Sequence, residues 1–228
     1  MAGRSGIIQL MSYKLSRLTF CVAVFLIVTN FAGLAEAQKV ERTGAAPAGV
    51  SDALRQAAED KGYKITLDDG WSVEFWFARQ LKAETKDAPG ALYPELSNGE
   101  FIGVVRFPQG MADYRGQSLA AGIYTLRYQL LPQDGNHMGV SPNPDFLLAS
   151  PAVDDARPEQ SYVYRKLIAL SVRSTSTGHP AVLALQSPGA AASVAKDDKG
   201  DVVFSVDVPS SGGASEKLGI VIKGAAAQ

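Results

Sequence analysis

The chain has 228 residues, with 22 Lys and Arg against 23 Asp and Glu, two histidines, one cysteine and a net charge of −1. That length suits a single domain able to bury a sizeable core. The near-neutral balance lacks the basic excess of a polyanion binder, so no nucleic acid is expected as a partner.

The N-terminal segment reads as a signal for export. Arg4, Lys14 and Arg17 precede the apolar run "LTFCVAVFLIV" at 18–28, and Ala35-Glu36-Ala37 supplies a small-x-small cleavage pattern. The run is short for a bilayer span, and Thr19-Phe20 before Cys21 is not the small pair of a lipobox. Residues 1–37 are therefore expected to be removed, leaving a periplasmic or secreted chain from Gln38 without a stable membrane anchor. Cys21 would leave with the signal, so the mature chain would have no disulfide, thiolate zinc site or cysteine nucleophile. Removing Arg4, Lys14, Arg17 and Glu36 from 22 basic and 23 acidic residues leaves 19 and 22, a net of −3.

Residues 38–50, "QKVERTGAAPAGV", are rich in Ala, Gly and Pro without apolar periodicity and are expected to be a flexible lead-in. "SDALRQAAEDKG" then predicts a short helix, with Ser51 as N-cap, Leu54, Ala57 and Ala58 on one face and Gly62 as the stop. From Tyr63 the period changes to two. "YKITL", the Asp69-Gly70 turn and "WSVEFWFAR" form a hairpin, and "FIGVVRF" follows a Pro/Gly-rich loop. "IYTLRYQLL" alternates Tyr124, Leu126 and Tyr128 with Thr125, Arg127 and Gln129, the pattern of a half-buried strand. "DFLLAS" is apolar enough to be buried. "RPEQSYVYRKLIALSVRS" has helical spacing, with Pro158 near its start, and "HPAVLAL", "DVVFSVDV" and "KLGIVIK" close the chain as strands. Residues 51–224 are thus expected to form one mainly-β domain, an antiparallel two-sheet β-sandwich with one or two short helices.

Candidate site residues concentrate in "QDGNHMGVSPNPDFLL", residues 133–148, where Asp134, Asn136, His137 and Asp145 offer oxygen and nitrogen ligands. Their spacing matches no zinc or calcium motif, so neither metal nor cofactor is expected, and the stretch reads first as an ordered connection built on Gly135, Gly139, Pro142 and Pro144. Trp71 and Trp76 are five apart in one predicted strand and should face opposite ways: Trp71 into the core, Trp76 either under the helix or on a surface able to stack on a sugar or peptide. The pairs Asp68/Asp69, Asp154/Asp155 and Asp197/Asp198 read as water-facing turn formers, and His179 before Pro180 as a capping or surface residue. No nucleophile elbow, phosphate loop, dinucleotide fingerprint or H-E-x-x-H occurs, and no catalytic residue is assigned.

"GQSLAAGIYTLRYQLL" followed by "GNHMGVSP" resembles exported bacterial β-domain proteins of unknown function that carry an Ala-Gly-x-Tyr-x-Leu hairpin, here Ala121 to Leu126. The resemblance covers roughly residues 101–150 and implies fold class and export, with no activity to carry over. The preferred expectation is an exported non-catalytic module that binds a small molecule, glycan or protein partner through Asp134, Asn136, His137, Asp145 and Trp76. The alternative is a hydrolase or metal-dependent enzyme centred on His137.

Overall fold

The period-two stretches do become strands, and every strand ladder among the described residues is antiparallel. The computed structural model describes residues 38–84, 88–132 and 140–224. In chain order its elements are β1 (Lys39–Arg42), α1 (Asp52–Ala57), β2 (Tyr63–Thr66), β3 (Ser72–Phe77), β4 (Phe101–Phe107), β5 (Met111–Ala112), β6 (Ser118–Leu119) and β7 (Gly122–Leu130). There follow β8 (Asp145–Pro151), α2 (Tyr164–Ser171), β9 (Ala181–Gln186), β10 (Ser193–Lys196), β11 (Val202–Pro209) and β12 (Ser215–Lys223). The fold is mainly β and antiparallel, as expected.

Two separate sheets are not what the hydrogen bonds describe. Ten strands form one sheet in the order β1-β2-β3-β4-β7-β8-β9-β12-β11-β10, and β5 with β6 makes a small hairpin beside it. The link between the two ends of this sheet is narrow: β9 and β12 pair only at Gln186–Gly219 and Leu185–Ile220. Elsewhere along β9 the loop after β5 takes the place of β12, because Tyr114 N–H donates to the Val182 carbonyl at 3.1 Å and the Asp113 carboxylate accepts Val182 N–H at 3.2 Å.

The sheet curls until its edge strands β1 and β10 meet, nearly closing a barrel. At one end of the seam Lys196 reaches Asp68 at 4.0 Å and Lys223 pairs with Asp69. At the other, Leu81 N–H donates to the Pro209 carbonyl and Ser211 N–H to the Leu81 carbonyl, both at 2.8 Å. Aromatic rings cross the interior: Phe75 stacks on Phe77 at 5.5 Å, and Phe204 of β11 lies 5.6 Å from both Phe75 and Tyr63. Those rings come from opposite halves of the sheet, so the middle of the barrel is a packed core.

Four expectations need correction. Residues 38–50 are not a loose lead-in: β1 pairs with β2 from Lys39–Thr66 to Arg42–Tyr63, and Ala46 and Val50 are buried in the core. Their few apolar side chains hid a role that depends on edge pairing. Ser51 does cap α1, its hydroxyl accepting Leu54 N–H at 3.2 Å, but the helix ends by Ala58. Gly62 instead serves close packing, since a Cβ there would lie 2.5 Å from the Phe75 carbonyl oxygen and 2.6 Å from Trp76 Nε1. The second helix begins at Tyr164 rather than near Pro158, because residues 155–162 are drawn across β7 as a cover. For the same reason β7 is buried on both faces, with Thr125, Arg127 and Gln129 at most 2% exposed.

Candidate functional site

Of the five residues singled out in the sequence, Asp134, Asn136 and His137 lie outside the described residues. The other two are placed apart, and both are structural. Asp145, the first residue of β8, is fully buried; its carboxylate accepts N–H groups from Leu92 at 3.1 Å and Tyr93 at 2.9 Å and the Tyr128 hydroxyl at 3.3 Å. It pins the loop before β4 to the sheet and has no face left for a ligand. The same anchor extends through Tyr93, whose hydroxyl accepts Gly219 N–H at 2.8 Å and donates to the Gln186 carbonyl at 3.2 Å. Burial pushes the Tyr93 phenol up to about 12. Burial also raises Tyr128, with the Asp145 charge adding to it.

Trp76 is 2% exposed and donates its indole N–H to the Gly44 carbonyl at 2.7 Å. The expectation of a stacking surface at Trp76 is therefore corrected: the chain from β1 to α1 covers that side of β3.

The turn-former reading of Asp155 also fails. Asp155 is fully buried and binds Arg127 through two hydrogen bonds, Nε at 2.6 Å and Nη2 at 2.9 Å, while the Thr125 hydroxyl donates to it at 2.7 Å. The remaining three donors of the guanidinium reach the carbonyls of Gly99, Gln160 and Arg157 at 2.8, 3.1 and 2.9 Å. All five N–H groups are engaged, and Tyr162 stacks over the guanidinium at 4.7 Å. Saturation of this kind ties a loop to a sheet; it leaves nothing to bind with. The signal in the sequence was an arginine flanked by Thr and Gln in a strand whose neighbour, "DFLLAS", is apolar on both faces.

An open groove of about 600 Å³ is built around Trp71 instead. Asp69 organises the turn that presents it: its carboxylate accepts Trp71 N–H at 3.0 Å and is held below the usual range by its hydrogen bond with Lys223. The Trp71 ring stacks on Phe107 at 6.4 Å and its indole N–H donates to the Gly110 carbonyl at 2.8 Å, so the side chain is fixed at both ends while staying half-buried. Met111 and Leu119, from β5 and β6, continue the apolar floor. Asp69, Gln109, Ser118 and Lys223 supply donors and acceptors along the rim. Of the two alternatives open for Trp76 the buried one holds, whereas Trp71, expected wholly in the core, precedes β3 at the end of the barrel and among the described residues is only partly covered.

A rigid aromatic floor beside a few convergent polar groups suits a ligand with one apolar face and hydrogen-bonding edges. Among the described residues no group of three or more His, Cys, Asp or Glu is arranged to hold a metal ion. No protein-family model matches this chain, and neither a curated protein nor a solved structure matches it.

Proposed function

We propose that this chain is an exported, non-catalytic β-module that binds a glycan by stacking a sugar ring on Trp71. The observation that carries the reading is the fixed, half-buried indole at the floor of this groove, flanked by Asp69, Gln109, Ser118 and Lys223. A pyranose has a C–H face for the indole and equatorial hydroxyls for the rim. Because the indole is already held by Gly110 and Phe107, little side-chain freedom is lost on binding. Export rests on the basic, apolar and Ala-x-Ala pattern of residues 1–37. The enzyme alternative centred on His137 has no comparable support, since the buried Asp145 and Asp155 are committed to backbone and arginine partners.

Fluorescence provides the test, because the chain has two tryptophans and Trp76 is shielded. Titration with neutral β-linked glucose and N-acetylglucosamine trimers is expected to give a saturable emission change that Trp71→Ala abolishes. No change with any saccharide, or a change that survives Trp71→Ala, overturns the reading. The mass of the exported protein is expected to correspond to a chain starting at Gln38.

A further inference from the structure

We infer that the cleft between α2 and the outer face of the sheet is a second binding site, specific for a small carboxylic acid with an aromatic or branched apolar body. The cleft has a volume of about 200 Å³ and is more enclosed than the Trp71 groove. Phe146 of β8 forms its floor, Ile168 and Val172 its helical wall, and Leu131 and Val140 its other side. Since an apolar cavity of about 150 Å³ holds benzene, this space accommodates a single ring or a branched chain with a small head group.

The polar groups at the cleft decide the ligand's charge. Arg115, at the tip of the β5–β6 hairpin, His179 and Tyr164 line it, and among the described residues no acidic side chain does. Arg115 is partly buried, yet among the described residues no carboxylate comes within ion-pair distance of its guanidinium. The other buried or partly buried arginines of the described residues, Arg55 and Arg127, are matched to Asp52 and Asp155. A guanidinium held beside an apolar wall without an internal anion is complementary to a carboxylate, which it binds through two parallel hydrogen bonds.

The helical wall and the hairpin that carries Arg115 are firmly built. Ser171 of α2 donates its hydroxyl to the Ala149 carbonyl at 2.7 Å and accepts Ala181 N–H at 3.0 Å, clamping the helix across β8 and β9. The hairpin carrying Arg115 is fixed by Asp113, which accepts N–H groups from Arg115 at 3.0 Å and Gln117 at 2.8 Å. Gln117 in turn bonds the Pro180 carbonyl at 3.0 Å.

Calorimetric titration of the full chain with benzoate, and with benzamide as the uncharged isostere, tests the assignment. Benzoate is expected to bind saturably, with benzamide and the Arg115→Gln variant each weaker by about tenfold or more. Ile168→Trp, which fills the cleft, is expected to abolish binding, whereas Trp71→Ala leaves it unchanged. Absence of saturable benzoate binding, equal binding of benzoate and benzamide, or full binding by Arg115→Gln overturns the inference.

Discussion

Arg127 and Arg115 both stand on the outer side of the same sheet, and they teach opposite lessons. Arg127 is 1% exposed, and its five donors meet five acceptor atoms on four residues. Arg115 is only partly buried, beside an apolar cleft, and has no carboxylate partner among the described residues. Burying a charge without compensation is costly, so a cation taken fully inside must be saturated by the fold itself. A cation left at a rim keeps water as an alternative partner and is therefore available to a ligand. The tryptophans repeat the contrast, with Trp76 enclosed and bonded to Gly44 and Trp71 fixed but open to the groove. In this molecule, saturation marks architecture, and fixed but incomplete satisfaction marks the candidate sites.

The strongest way to break that contrast is to remove a saturated partner. Arg127→Met strands the Asp155 carboxylate and the Gly99, Gln160 and Arg157 carbonyls, and urea denaturation is expected to show a loss of about 3–5 kcal/mol. Alkaline pH tests the Tyr93 anchor. The phenol is raised from 10.0 to about 12 in the folded chain, so its contribution is complete below pH 10 and is lost as pH rises toward 12. Stability measured across that window is expected to fall more steeply in the wild type than in Tyr93→Phe.

Smaller effects sharpen the same division. Gly62→Ala drives a methyl against the Phe75 carbonyl and the Trp76 indole. It is expected to cost about 1–3 kcal/mol in thermal or urea unfolding. Ser150 is an exception to saturation, a buried hydroxyl without a hydrogen-bond partner among the described residues. Ser150→Ala is accordingly expected to raise stability by about 1 kcal/mol, and a loss instead would show that the hydroxyl is satisfied after all. Arg115→Gln should change stability by no more than about 0.5 kcal/mol, because its head group holds no part of the described structure together. A loss as large as that of Arg127→Met would erase the contrast.

What the sequence determined by itself was local and periodic. The Asp69-Gly70 turn, the alternation of "YKITL" and "WSVEFWFAR", the Ser51 cap and the apolar run "DFLLAS" were legible because each depends on residues a few positions apart. The short strands β1, β5, β6 and β10 were not, since unlike the equally short β2 they carry no alternating run of large apolar side chains, and β1 owes its conformation to β2, beyond the intervening helix. The tertiary structure alone decided which polar residues were buried. Thr125 and Gln129 looked solvent-facing until the 155–162 segment crossed β7, and Asp155 looked like a turn residue until it met Arg127, 28 positions away. The same holds for the tryptophans: a two-residue period distinguishes the faces of a strand, but which face is covered depends on where β1 and α1 pack, a matter of long-range contacts that no local pattern encodes.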